Sequence, residues 1–405
     1  MTAGLRTQLV AALGGDHVED VELGFRVSPG SAAEVAEVVR RAADARAAIH
    51  PVGAGGRIAT DLDPARVRIF VSTHRLDQVL QLDEASLLVH AQVGLRGSDL
   101  EHVLAPRNLT LGDYPASMLA SSIGGILAVR TPGKSSARHG FFEDAVVGVS
   151  AVLADGRSVH TRVAPRRATG PDLARVLCGS EGTIGVLTSA VLRIHARPEA
   201  RLVAAYLLPS IDAAVSAVYL ALREECSPSG LRIYDAPQAA THFDGLVLPA
   251  GQALLCAATA GPTDLATCDR DLVTSAVVAE GGHATDIALA ELWWRRVQDG
   301  DVHSTSHVQL QAMATPPRLR AVYRAAIAAV PGARAHISRF DADGAVLFLG
   351  WDDDTPRAHE AARHAVTSAG GWLLGSRAEK WNSYLRELRA ALDPHQVMNP
   401  GTLAT

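Results

Sequence analysis

Apolar side chains at Val35, Val38, Val39 and Ala42 recur at helical spacing behind Ser31 and Glu34, an S-x-x-E capping-box pair. They predict an amphipathic helix running to about Arg46, followed by a strand at 47–52. Further strands are expected at 68–72, 86–93, 145–153, 158–162 and 186–194, with Asp155-Gly156 as a hairpin signal between two of them. Beyond Arg197-Pro198 the pattern changes. Strands at 202–208, 230–234, 253–260, 335–339 and 345–351 are interleaved with helices at 211–224, 265–280 and 356–369. That alternation predicts an antiparallel sheet with helices on one face. A last helix is expected at about 377–392.

Between these elements lie several glycine-bearing turns. Residues 51–57 read P-V-G-A-G-G-R after a helix and a strand, and residues 112–125 read G-D-Y-P-A-S-M-L-A-S-S-I-G-G. Arg138-His139-Gly140 precedes Glu143-Asp144, and T-G-P-D-L at 169–173 precedes G-S-E-G-T-I-G-V-L-T at 179–188. Closely spaced glycines leave main-chain amides accessible, and amides crowded around one point form a nest for an anion such as a diphosphate. Any one of these turns, taken alone, could simply reverse the chain. The spacing does not fit G-x-G-x-x-G, no helix pattern follows Gly56, and no Gly-Lys-Ser/Thr ends such a loop, which disfavours a Rossmann domain and a P-loop.

The order of these motifs resembles the FAD-binding module of the vanillyl-alcohol oxidase superfamily, nearest to the branch of alkylglycerone-phosphate synthase and the FAD subunit of glycolate oxidase. Leu392-Asp393-Pro394 with Asn399-Pro400-Gly401 is similar to that branch too. The resemblance is dense over 51–198 and sparse from there to Asn399. It implies an α+β chain, a two-part FAD-binding domain at 1–197 and 376–405 with a cap domain at 198–375, the cap lying over the reactive edge of the flavin. Pro51, Gly53, Ala54, Gly55, Gly56 and Arg57 are implied to wrap the FAD diphosphate. Pro115, Ala116, Ser117, Ser121, Ser122, Gly124 and Gly125, with His139 and Gly140, are implied to line its other side. Glu181, Gly182, Thr183 and Ile184 would run along the adenosine or ring. Helix capping would equally explain any single serine, and Glu181 in a plain turn would face solvent. For Asn399 a structural role and a flavin contact stand level. Gly56 occupies the position where covalent members carry a histidine, so non-covalent FAD is expected.

For the chemistry, Arg232 in P-S-G-L-R-I-Y-D falls where the synthase branch has an arginine that addresses the substrate's anionic group, a task suited to a bidentate guanidinium. Pairing with Asp235 or with solvent is the alternative. His336 in A-H-I-S-R-F is the candidate base, imidazole having a pKa near neutrality, with a satisfied core histidine as the alternative. His303 and His307 stand four apart, but without an acidic ligand nearby a metal is not expected. Trp293, Trp294 and Trp351 could wall a pocket or fill a core. The synthases carry a run of histidines after a Gly-Gly near the C-terminus and an active-site tyrosine on the preceding strand. Here Gly370-Gly371 leads to Trp372, and Leu347-Phe348-Leu349 occupies the tyrosine's region, which disfavours non-redox alkyl exchange.

The expected function is therefore an FAD-dependent oxidoreductase passing hydride from a small, anionic alcohol, hydroxy acid or amine to flavin N5. The alternatives are a non-redox transferase and an FAD-carrying subunit of a larger complex; a homodimer and a partner subunit both stay open. Composition changes this picture little. A formal charge of −5 and a pI near 6.3 give no reason to expect nucleic acid or an anionic membrane as partner. Lys134 and Lys380 are the only lysines, so cations are almost all arginine. Neither a secretory leader pattern nor a membrane-length apolar run is seen, so a cytoplasmic location is expected. Cys178, Cys226, Cys256 and Cys268 lie far apart, so they are expected as reduced, buried thiols and not metal ligands.

Overall fold

The computed structural model describes residues 2–55, 66–112, 120–130, 136–163, 171–298, 308–352, 355–374 and 383–402. The chain divides into two compact units: Met1–Thr131 with Phe141–Ala196 and Arg377–Thr405, and Pro132–Gly140 with Arg197–Ser376. Among the described residues no helix is long and apolar enough to cross a membrane.

The first unit holds a four-stranded and a five-stranded sheet, with a two-stranded one that pairs Leu109–Thr110 with His195–Ala196. In the four-stranded one the order is Val18–Val21, Gly24–Val27, Arg68–Ser72, Ala48–Val52, and the last three run parallel. The helix Ala32–Asp44 begins as its sequence implies. Ser31 Oγ accepts the Glu34 N–H at 3.1 Å, and the Glu34 carboxylate reaches back to the Gly30 N–H at 2.8 Å. Val35, Val38, Val39 and Ala42 are buried in one core with Leu5, Leu9 and Leu13 of an N-terminal helix, Thr2–Leu13, that the hydrophobic pattern did not announce. The five-stranded sheet is antiparallel, in the order Val79–Asp83, Leu88–Gln92, Gly185–Arg193, Val146–Leu153, Ser158–His160. Gly156, at φ +78, turns the hairpin between the last two strands in sequence from Val146 to His160.

The second unit is one eight-stranded sheet, antiparallel throughout. Its order is His283–Ala284, Ala200–Leu208, Ala253–Gly261, Gly230–Asp235, Arg334–Asp341, Gly344–Gly350, Leu310–Ala314, Trp372–Leu373. Residues of Ile211–Arg223, Thr263–Ala279, Pro316–Ala329 and Pro356–Ser368 share a core with one face of it. Helices were expected on that face only, yet Ala236–His242 and Ile287–Gln298 cover part of the other. The cause lies in Ala253–Gly261, where Leu255 and Ala257 enter the first core while Leu254, Cys256 and Ala258 enter a second. A strand apolar on both faces needs a layer on each. Trp293 belongs to this second core and Trp351 to the first, so both pack and neither walls an open pocket. Cys178, Cys226 and Cys256 are buried thiols, whereas Cys268 is exposed, contrary to expectation.

Residues 132–140, expected with the first domain, are grouped with the second unit. Within the helical turn Ser136–His139, Arg138 Nη1 donates to the Ser227 carbonyl at 3.4 Å. His139 and Gly140 are thus grouped with the second unit.

Candidate functional site: a main-chain cradle and a cationic sheet face

In the first unit three turns come together. The strand Ala48–Val52 feeds the turn at Gly53–Gly55. A Cβ on Gly53 would stand 2.3 Å from Ser122 Oγ, so this turn packs where only glycine fits. Ser122 caps the short helix Ile123–Val129, its Oγ accepting the Gly125 N–H at 3.2 Å. Gly124 donates to the Val93 carbonyl at 2.8 Å. Ser122 and Gly125 are thus engaged through the cap, and Ser121 stands half-buried at its lip.

The turn 179–184 supplies the third side. Gly179, Glu181 and Gly182 have φ of 80°, 50° and 76°. The amides of Gly179 and Glu181 donate to the carbonyls of Leu127 and Ala128 at 2.9 and 3.0 Å, which ties the turn to the short helix. Thr183 Oγ1 closes on the Ser180 carbonyl at 2.6 Å, and Ile184 is buried in the core. A Cβ on Gly182 would meet the Pro51 ring at 2.8 Å, so this turn also abuts the first. Thr183 and Ile184, expected along a ligand, are turned into the protein.

Asn399 links the strand Ala48–Val52, which feeds the first turn, to the turn 179–184. Its Oδ1 lies 2.8 Å from His50 Nδ1, and its Nδ2 donates to the Glu181 carbonyl at 2.6 Å. Both ends of the amide are engaged within the protein, as its structural reading requires. His50 escaped the sequence reading; its only signal is its place in the strand next to Pro51.

Among the described residues, the amides of Gly53, Ala54, Gly55 and Gly182 donate no hydrogen bond to the protein. Gly55, at φ +84, has nothing within 4 Å of its Cβ position. Bare amides beside open space suit the oxygens of a diphosphate, so the cradle fits FAD. Gly56, Arg57, Pro115, Ala116 and Ser117 lie outside the described residues, as do His303 and His307.

In the second unit, neighbouring strands bring Arg232 opposite Ser338 and Tyr234 opposite His336. Leu231, Ile233, Ala335 and Ile337 enter the helix-covered core, so by alternation Arg232, Tyr234, His336 and Ser338 share the other face. Arg232 is half-buried, and its Nη1 donates to the Tyr234 hydroxyl at 3.3 Å. Among the described residues it pairs with no carboxylate. Asp235, the partner considered from sequence, is engaged elsewhere. It caps Ala236–His242 through the Gln238 N–H at 2.8 Å and accepts the Ala335 N–H at 2.8 Å. Burial pushes its carboxyl up to about 6.

His336 is 4% exposed and stacks on Phe348 with ring centroids 4.5 Å apart and planes 5° apart. Burial holds its pKa well below the ordinary value, and Arg232, His242 and Arg339 push it the same way. The expectation of a near-neutral base is therefore corrected: at neutral pH this imidazole is uncharged and a poor proton acceptor. Tyr234, fully buried and 5.9 Å from the His336 ring, was not foreseen as part of this face.

Comparison with known proteins agrees with both units. Residues 25–162 match the FAD binding domain, and residues 197–316 with 361–403 match the C-terminal domain of FAD linked oxidases. An alkyldihydroxyacetonephosphate synthase of Caenorhabditis elegans is 30% identical over 216 residues, 52% of this chain and 36% of that protein. The glycolate oxidase subunit GlcD of Bacillus subtilis is 27% identical over 65% of this chain and 57% of its own length. The match thus spans about a third to a little over half of these curated relatives. Among solved structures, an alkyldihydroxyacetonephosphate synthase superposes with TM-score 0.81 at 21% identity, covering 99% of this chain and 85% of that one. p-Cresol methylhydroxylase with substrate bound gives 0.75 at 14%, covering 99% and 96%. At such identities these two show the fold alone. The chain is thus built of an FAD binding domain followed by an FAD linked oxidase C-terminal domain, on the fold that these solved structures share.

Proposed function

We propose that the protein is an FAD-dependent oxidoreductase that oxidises a small anionic substrate, an alcohol, hydroxy acid or amine. The observation that carries this reading is Arg232: a half-buried guanidinium on a sheet face, donating to a neutral tyrosine and paired with no carboxylate among the described residues. A cation so placed favours a carboxylate or phosphate ligand. Bound FAD supplies a two-electron acceptor at its ring. The amides of Gly53, Ala54, Gly55 and Gly182 hold the diphosphate, non-covalently. Arg232 orients the substrate's anion, and the Tyr234 hydroxyl holds Arg232. His336, kept neutral, offers a hydrogen bond without competing for that anion as a second charge.

The second reading is a non-redox transferase, favoured by the 30% identity to the Caenorhabditis elegans synthase. Against it stand Leu347, Phe348, Leu349 and Trp372, which bring no ionisable side chain to the strands Gly344–Gly350 and Trp372–Leu373. The experiment is anaerobic mixing of the purified flavoprotein with panels of hydroxy acids, amino acids and alcohols. Bleaching of the oxidised-flavin absorbance by an anionic donor supports the oxidoreductase. An unbleached flavin together with exchange of an acyl for an alkyl group would establish the transferase. An isolated protein inert to every donor that recovers activity with a co-purifying partner would establish an FAD-carrying subunit.

A further inference from the structure

We infer that Asn399 is a positioning residue for FAD, which sets the turn 179–184 against the strand feeding Gly53–Gly55. The inference rests on the reading of those turns as the FAD cradle.

The orientation of the Asn399 amide is forced. The Glu181 carbonyl can only accept, so the atom 2.6 Å from it is Nδ2. Oδ1 therefore faces His50, 2.8 Å away, and His50 Nδ1 must carry a proton to donate to it. His50 is 2% exposed, and burial is the largest influence lowering its pKa; Arg68 and Arg66 add to this, and the Asn399 bond opposes it. The neutral ring is thereby held in its Nδ1–H form, and the bond to Asn399 is kept across the neutral range.

The main chain around Asn399 is fixed from its own side. Ile49 donates to the Val397 carbonyl at 2.7 Å, and Asn399 donates to the Ile49 carbonyl at 2.7 Å. The Asp393 carboxylate accepts the N–H groups of Val397 and Met398 at 2.9 and 2.8 Å. Asn399 is thus built onto the strand Ala48–Val52, and its side chain reaches from there to the turn. Glu181 and Asn399, joined by that hydrogen bond, are both non-glycine residues with positive φ, 50° and 42°. Such backbone persists where its surroundings over-determine it, and it gathers at functional sites. Next to Glu181, Gly182 carries one of the amides free to bind FAD and meets the Pro51 ring. Moving the Glu181 carbonyl would rotate that amide and shift the gap between the turns.

The test uses the full chain stripped of flavin, with FAD affinity read from quenching of flavin fluorescence and apo-protein stability from thermal unfolding. Asn399→Asp keeps an acceptor for His50 but puts an oxygen opposite the Glu181 carbonyl. It is expected to weaken FAD by about tenfold, with the apo-protein losing stability on the scale of one buried hydrogen bond left unmade and no more than the structural control does. Leu9→Ala removes a buried side chain of the N-terminal helix, away from the turns, and serves as the structural control; it is expected to lower the melting temperature while leaving FAD affinity within about twofold. Asn399→Asp binding FAD as wild type does would overturn the inference, as would affinity losses in both variants that simply follow their melting temperatures. A wild-type apo-protein that takes up no FAD would overturn the cradle itself, and this inference with it.

Discussion

In the first unit the donors are main-chain amides, at Gly53, Ala54, Gly55 and Gly182, held by packing that leaves no room for a Cβ at Gly53 or Gly182. In the second they are side chains, Arg232 and Tyr234, projecting from one strand of a sheet. The two constructions respond to different physics. A cradle of amides is governed by φ and by steric clearance, so bulk destroys it and charge hardly matters. A cationic sheet face is governed by burial and pairing, so charge decides and bulk matters less.

Gly53 and Gly55 sharpen that contrast most. Gly53→Val drives a branched side chain onto Ser122 Oγ, 2.3 Å from the position of Cβ. Overpacking of that kind is expected to weaken FAD by about 100-fold, so that the protein purifies colourless. At Gly55 the space is open, and alanine meets only the strain of φ +84. Left-handed backbone costs about 1 to 2 kcal/mol per residue, so Gly55→Ala should weaken FAD about tenfold or a little more. Equal losses in the two variants, measured by FAD titration, would show that clearance is not what governs the cradle.

Arg232→Ala comes next. Removing a guanidinium that meets an anion in a partly desolvated place costs about 2 to 5 kcal/mol, so kcat/KM for an anionic donor should fall by about 100-fold, mainly through KM. FAD affinity should stay as in wild type. A variant that loses flavin while keeping KM would erase the distinction drawn between the two units.

The same contrast explains what could be read from the chain alone. Main-chain sites leave glycines at fixed offsets, so the turns at Gly53, Gly55 and Gly182 were legible as positions, and the cofactor through the resemblance that their order carries. Their neighbours Thr183 and Ile184 were read as ligand contacts because a motif marks a turn without saying which side chains point inward. Asn399 was legible as a position, but its partners His50 and Glu181 stand far from it in sequence, and only the parallel bridge between Ile49 and Met398 brings the three together. On the sheet face Arg232 was found through resemblance. Tyr234 and the stack of His336 on Phe348 were not, because which strands neighbour which is a property of topology. The helix Ile287–Gln298 was missed for a related reason: the second apolar face of Ala253–Gly261 reads simply as a hydrophobic run.

Asp235 tests the electrostatics of the second unit at a point away from Arg232. Its carboxyl is raised by burial to about 6, above the value of an unfolded aspartate. The stability it contributes is therefore fully present below about pH 4 and is lost as pH rises through about 6. Asp235→Asn removes that dependence but also an acceptor for the Ala335 N–H, a loss of about 1 kcal/mol. In urea unfolding the variant should thus be the weaker protein at pH 4 and gain on wild type by about 2 kcal/mol by pH 7. A difference that stays constant across that range would mean that the carboxylate is ionised in the fold at no cost.

His336 carries the smallest expected effect and the sharpest question about the sheet face. A base that titrates near neutrality would print an acid limb on the pH profile of kcat/KM. The buried imidazole does not titrate there, because desolvation and three nearby basic side chains hold its pKa well below the ordinary value. By the same linkage, the stability it contributes is present above about pH 6.5 and is lost as pH falls, when the unfolded chain binds a proton that the fold refuses. His336→Gln keeps a neutral hydrogen-bonding group, and His336→Phe keeps the stack on Phe348. Both should lower kcat/KM by no more than about tenfold and leave any acid limb where it stands in wild type. Disappearance of that limb in both variants would make His336 the titrating base after all. The imidazole of the free enzyme would then titrate near neutrality despite its burial, and the sheet face would work through a proton acceptor as well as through the fixed cation of Arg232.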